Sequence, residues 1–116
     1  MRIGRVSHNS ITLKSVLDVD IKVLEDFCID VVSDLRYDIN KEVNFSTILM
    51  EAAARYAFLA TLHLKLASNV RLMKIVGTNP QDLAIAMGKR DSVEETMKVV
   101  KLYWESVSRS YTVLSE

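Results

Sequence analysis

The feature that most constrains the fold is a stretch of thirty residues, from Thr47 to Val76, that contains neither glycine nor proline. Apolar residues recur along it in two neighbouring seams at alternating spacings of four and three, which predicts one long helix. Ser46 before the stretch is a good N-cap, and Gly77 after it is a natural stop. A helix that is apolar over this much of its circumference must be covered on more than one side.

The rest of the chain is also typical of a helical protein. Its 116 residues include one proline and three glycines, fewer turn residues than an all-β domain requires, and 49% of them are hydrophobic. One helix is predicted from about Asp20 to Lys41. A short helix begins at Asn79 and Pro80 and ends at Gly88, and a last helix begins with the capping box of Ser92 and Glu95.

These elements predict a mainly α fold: a bundle of three long helices and one short helix, in a single domain that spans residues 1–116. Residues 1–16 contain the only β-forming pattern and are expected to form an extended arm or a small hairpin, and residues 17–116 form the bundle. The single cysteine, Cys28, fits a reducing compartment, and no stretch is apolar enough to span a bilayer. We therefore expect a cytoplasmic protein, or one in the host cytoplasm if it is viral, with no membrane contact.

Residues that could perform catalysis or hold a metal are sparse. The only histidines are His8 and His63, and neither follows a glutamate by three residues, as a di-metal bundle requires. Cys28 lies on an apolar seam, where cysteine usually behaves as a small hydrophobe. The scattered glycines exclude a phosphate-binding loop. The sequence predicts no enzyme activity, no metal and no cofactor.

Residues 82–100 resemble the helix-turn-helix of DNA-binding regulators, in which an alanine packs at the helix crossing and a glycine makes the turn. Ala84, Gly88 and Val93 carry the resemblance. It implies nucleic-acid contact through the basic residues nearby, which are Lys89, Arg90, Lys98 and Lys101. The turn is one residue short, and Glu94 and Glu95 would repel phosphate, so a tight glycine turn within a bundle is favoured.

A second resemblance is to phage recombination mediators, which are small helical proteins that load recombinases on single-stranded DNA. The segments "DLRYD" (34–38), "ARYAFL" (54–59) and "SRSYTVL" (108–114) carry it. It implies an accessory protein of nucleic-acid metabolism. The stretch between the segments is shorter here and the proline before the long helix is missing, so no functional residue is transferred.

An acid occurs at every fourth position in the first helix: Asp26, Asp30, Asp34, Asp38 and Glu42. The repulsion between acids at this spacing is only a few tenths of a kcal/mol per pair, so a solvated face is one explanation. The alternative is an acidic face that binds a protein partner with a basic surface.

The long apolar helix and the last helix present more apolar surface than a small bundle buries, and such surplus marks contact with another chain. The expected contact residues are Tyr56, Ala60, Leu102 and Tyr103. The sequence therefore favours a non-enzymatic protein that works as a homo-oligomer, as a subunit of a larger assembly, or by binding a protein partner. A nucleic-acid-associated accessory protein, viral or from a phage, is the alternative.

Overall fold

The computed structural model describes the backbone of residues 11–41 and 44–115, and the side chains of residues 11–37 and 44–110. In these ranges it contains three α-helices and no strand: α1 (Ile21–Lys41), α2 (Phe45–Val76) and α3 (Pro80–Ser115). The mainly helical class is confirmed. Most of the predicted arm or hairpin lies outside the described residues. Its described part, from Thr12 onward, forms turns instead of a strand.

Polar side chains define where α1 and α2 begin. The Oδ1 atom of Asp20 accepts a hydrogen bond from the backbone N–H of Lys22 at 2.9 Å, which caps α1 close to the predicted boundary. The cap of α2 is Asn44, whose side chain accepts from Thr47 N at 3.2 Å. The prediction of Ser46 as the cap is therefore wrong. Asn44 has the extended backbone that a cap requires, so α2 starts two residues before the predicted position.

The connection between α2 and α3 follows the prediction. Gly77 adopts a left-handed backbone with φ of 76°, and it ends α2 with its N–H bonded to the carbonyl of Met73. Asn79 then accepts a hydrogen bond from Gln81 N at 2.7 Å, and Pro80 is the first helical residue of α3. This short link folds α3 back along α2 as an antiparallel helical hairpin.

The prediction of a separate short helix that ends at Gly88 is wrong, because α3 runs unbroken through this residue. A Cβ atom placed on Gly88 would lie 2.9 Å from Cδ1 of Ile21 in α1. The glycine therefore provides room for α1 to approach α3 and makes no turn. Ser92, predicted to open a new helix, lies inside α3, where its carbonyl accepts from Thr96 Oγ1 at 2.8 Å.

The core lies where α1 packs against the hairpin of α2 and α3. It is formed by aliphatic side chains at helical spacing, with Leu24, Leu35, Leu59, Leu62, Leu66, Val93 and Val100 fully or almost fully buried. Phe27 of α1 meets Phe58 of α2 edge to face, with ring centroids 6.1 Å apart. The described Cα atoms extend over 56 × 30 × 18 Å, so the molecule is long and thin.

Two lysines attach the segment before α1 to the hairpin. Lys65 donates to the carbonyl of Leu13, and Lys89 donates to the carbonyls of Val16 and Leu17 at 3.4 and 2.9 Å. Burial of Lys89 lowers the pKa of its ammonium group. Among the described residues, no helix has the length and apolar character needed to cross a membrane.

Candidate self-association surface

The hairpin of α2 and α3 has two faces, and α1 covers one of them. Phe58 of α2 contacts α1, and Val99 of α3 lines the groove between α1 and α3. Ala60 follows Phe58 by two positions, and Lys101 follows Val99 by two positions. Each therefore lies about 160° around its helix from the residue that faces α1. They therefore lie on the face away from α1.

We call this face the open face. Its residues share two properties: they lie on the side of the hairpin opposite α1, and none of them is buried. They are Leu49, Ala53, Tyr56, Ala60, His63 and Ala67 of α2, and Arg90, Glu94, Met97, Lys101 and Trp104 of α3.

A groove of about 370 Å³ runs along the open face between the two helices. Its lining consists of Ala52, Ala53, Tyr56, Lys101 and Trp104. The alanines leave the groove open because their side chains do not reach across to α3. The indole of Trp104 is 40% exposed there, which is unusual for the largest apolar side chain. The groove is therefore largely apolar and open to solvent.

One polar contact ties the helices together on the open face. The Nε2 atom of His63 lies 3.1 Å from Oε1 of Glu94, and the other oxygen of Glu94 lies 3.7 Å from Nζ of Lys98. A hydrogen bond to Glu95 and the nearby carboxylates raise the pKa of Lys98, which stays exposed. The contact between His63 and Glu94 also fixes which positions of α2 and α3 lie side by side.

The middle of α2 has no charged residue from Tyr56 to Leu64. Leu64 is 65% exposed and points away from the core, and Met50, Leu72 and Ile75 are also exposed. Apolar side chains thus surround α2 on its buried side, on the open face and on its outer edge. This matches the expectation that one small bundle cannot cover the whole helix.

The structure separates the four residues predicted to form an oligomer contact. Tyr56 and Ala60 lie together on the open face. Leu102 is 65% exposed on the side of α3 away from the core, and Tyr103 lies on the α1 side, where its hydroxyl accepts from Arg36 Nε at 2.8 Å. The exposure of Trp104 was not predicted from the sequence.

The predicted row of five acids on α1 is not uniformly exposed. Asp26 is accessible and lies 3.6 Å from Lys22, whereas Asp34 is only 8% exposed. Asp34 follows Phe27 by seven residues, so it lies on the flank of α1 that meets α2. The side chains of Asp38 and Glu42 lie outside the described residues, and Asp30 is half-buried. A partner-binding role for this row stays a prediction, with Asp34 turned inward.

The predicted nucleic-acid contacts do not form one basic surface. Lys89 is 6% exposed and its ammonium group is bonded to backbone carbonyls. Arg90 lies 3.0 Å from Asp91, and Lys98 lies between Glu94 and Glu95. The unbroken α3 also lacks the turn of a helix-turn-helix. Lys101 is the member of the set that stays exposed beside the groove.

Within the described part of the chain, no three histidine, cysteine, aspartate or glutamate residues cluster as a metal site would require. Cys28 is buried, and desolvation raises the pKa of its thiol. Comparison of the sequence and the fold with models of protein families, with curated proteins and with solved structures gave no significant match.

Proposed function

We propose that the chain is a non-enzymatic helical protein that acts by assembling with a second copy of itself through the open face. The observation that carries the proposal is the uncovered groove between α2 and α3, with exposed Trp104, half-buried Tyr56 and small alanines. Apolar surface of this kind, uncovered in the single chain, marks a contact with another chain.

The size of the open face is that of a typical protein–protein interface. Two helices of about 30 residues side by side, each about 9 Å wide, present about 45 × 18 Å, or roughly 800 Å². A specific protein–protein interface buries about 800 Å² on each partner. A second hairpin, with the same length and shape, would match this area without any change of fold.

The test is the molar mass in solution, measured by light scattering after size exclusion over a range of concentrations. We expect twice the 13.1 kDa of the chain, and reduction to one chain for Ala60→Arg, which puts a charge into the face. Ala84→Arg is the matched control, because Ala84 is exposed elsewhere on α3. A wild-type protein that stays a monomer at tens of micromolar would refute the proposal.

Leu102→Arg tests the outer side of α3 as the interface. Leu102 is one of the contact residues predicted from the sequence, and it points away from the open face. Loss of the dimer in Leu102→Arg, with Ala60→Arg still dimeric, would move the interface to the outer side of α3. The proposal expects the reverse result. Far-UV circular dichroism of each variant excludes misfolding as the cause.

One observation favours the nucleic-acid alternative. Exposed Trp104 and Lys101 both line the groove, and proteins that bind single strands combine stacking aromatic side chains with basic ones. Fluorescence anisotropy with a labelled single-stranded oligonucleotide tests it. Binding that weakens with salt and is lost in both Trp104→Ala and Lys101→Glu would support this function, and absence of binding would reject it.

A further inference from the structure

Apart from Lys98, four charged residues lie along the flank of α3 that borders the open face. In chain order they are Arg90, Glu94, Lys101 and Glu105. At 100° per residue they fall within an arc of about 60°. Their signs alternate as positive, negative, positive, negative. The same series read in the opposite direction has the opposite sign at every position, so this flank is complementary to an antiparallel copy of itself.

Two ion pairs that these charges could form with a second copy share one centre. If Glu94 faces Lys101 of a second copy, the midpoint lies between Met97 and Lys98. Pairing of Arg90 with Glu105 gives the same midpoint. A two-fold axis through this point would satisfy both pairs in both directions. Lys98, near the axis, lies between Glu94 and Glu95 of its own chain, at 3.7 and 3.3 Å.

The α2 side of the open face has a separate centre of symmetry. Ala53, Ala60 and Ala67 occupy one position at intervals of seven residues. Antiparallel pairing of this row with itself places Ala60 opposite Ala60 of the copy, and Ala53 opposite Ala67. Small side chains at these positions allow two helices to approach closely.

The contact between His63 and Glu94 shows that the two centres coincide. Because α2 and α3 run antiparallel, residues at the same level have numbers that add to a constant, and this contact sets it at 157. Tyr56 with Lys101 and Ala53 with Trp104 obey the same relation, and all four line one groove. The midpoint of the α3 charges is then level with Ala60 to within about 1 Å.

We propose that the second copy docks antiparallel about a two-fold axis that lies in the plane of the open face, perpendicular to the helices. The axis crosses Ala60 of α2 and the step from Met97 to Lys98 of α3. Ion pairs between Glu94 and Lys101, and between Arg90 and Glu105, form across it. This inference rests on the proposed self-association and adds its geometry. The partner is a copy of the chain, joined by the same patch on both subunits.

The physical roles of the two patterns differ. The apolar groove and the alanines supply the buried area, whereas charge pairs at the rim set orientation and exclude wrong registers. A two-fold axis parallel to the helices would instead place α3 of each copy over α2 of the other, so neither Glu94 with Lys101 nor Arg90 with Glu105 would pair. The charges thus select one register for an apolar surface that would otherwise allow several.

Charge reversal tests the pairing. Glu94→Lys and Lys101→Glu each place like charges across the axis, and we expect each variant to dissociate at least tenfold more readily than the wild type. The chain with both substitutions should recover the dimer, and so should an equimolar mixture of the two single variants. Positions 94 and 101 lie about 10 Å apart on one helix, so recovery requires pairing between chains.

Cysteine cross-linking tests the register independently, in a Cys28→Ala background. Ala60→Cys should form a disulfide-linked dimer on mild oxidation, because position 60 meets itself at the axis. Ala53→Cys alone should not cross-link, whereas its mixture with Ala67→Cys should. Far-UV circular dichroism confirms that each variant is folded.

The outcomes separate the two levels of the inference. A wild-type monomer would refute both the self-association and its geometry. A wild-type dimer that Ala60→Arg dissociates, without recovery in the charge mixture and without the expected cross-links, would leave self-association intact and overturn the antiparallel axis. Recovery of the dimer in the charge-reversal mixture, together with the expected cross-links, would support both the self-association and the antiparallel axis.

Discussion

Replacing Gly88 with alanine tests whether α3 is one helix through its whole length. Alanine in a helix interior is more favourable than glycine by about 1 kcal/mol. The new Cβ would lie 2.9 Å from Cδ1 of Ile21, so this methyl group must move. A side chain displaced from its rotamer costs about 0.5–1.5 kcal/mol, so we expect Gly88→Ala to change the free energy of unfolding by less than about 0.5 kcal/mol.

The two opposing effects can be separated in an Ile21→Val background. Valine lacks the Cδ1 atom, so Gly88→Ala should then raise the free energy of unfolding by about 1 kcal/mol. If residue 88 instead formed a left-handed turn, as the sequence suggested, alanine would lower it by about 1–2 kcal/mol in either background. The sign of the change in the Ile21→Val background therefore decides between one helix and two.

Gly77 provides the matched control. Its φ is 76° and a Cβ would meet nothing within 4 Å, so Gly77→Ala tests backbone strain alone. We expect a loss of about 1–2 kcal/mol. Urea unfolding followed by far-UV circular dichroism measures each difference, at one protein concentration because self-association raises apparent stability. A loss above 1 kcal/mol for Gly88→Ala in the Ile21→Val background would refute the continuous helix.

Three further changes test local contacts. Lys89→Met should lower the free energy of unfolding by about 1–3 kcal/mol in urea titrations, because it leaves two carbonyls of the segment before α1 without their donor. Tyr103→Phe should lower the free energy of unfolding by less than about 1 kcal/mol in the same assay, because it removes only the hydrogen bond from Arg36. The aromatic ring still packs against the Arg36 guanidinium, whose Cζ atom lies 5.9 Å from the ring centroid. Burial raises the pKa of the Cys28 thiol from 9.0, so the unfolded chain should lose this proton at a lower pH than the folded chain. The free energy of unfolding should therefore fall above about pH 9 in the wild type, and fall less in Cys28→Ala. An equal loss in both proteins would contradict this assignment.

Much of the fold could be predicted from local signals in the sequence. The stop at Gly77 and the start at Asn79 and Pro80 depend on backbone preferences that hold in any context. The buried side of each long helix follows from apolar spacing, as the burial of Val93 and Val100 confirms. These features need no information about distant residues.

The prediction failed where a distant residue determines the conformation. Gly88 followed by basic and capping residues is typical of a helix end, yet Ile21 of α1 occupies the space beside it and α3 continues. Lys89, expected at the surface, is buried because the carbonyls of Val16 and Leu17 accept its hydrogen bonds. Neither contact is visible in the sequence around residue 88.

The candidate site was predicted only in part for the same reason. Two of the predicted contact residues lie together: Tyr56 lines the groove and Ala60 lies on the open face. Tyr103 was assigned to the same contact, but α1 covers its side of α3 and Arg36 bonds its hydroxyl. The relative position of α1 decides which apolar residues stay uncovered.

The unbroken α3 links the fold to the proposed assembly. The continuous helix keeps the charges from Arg90 to Glu105 level with the alanines of α2. At 21 residues, α1 is about 31 Å long and can cover only one face of a hairpin whose helices have 32 and 36 residues. Within the described residues, no other helix is left to cover the opposite face. In the proposed dimer a second hairpin of equal length would cover it in full, and the alternating charges would supply the register that a row of alanines lacks.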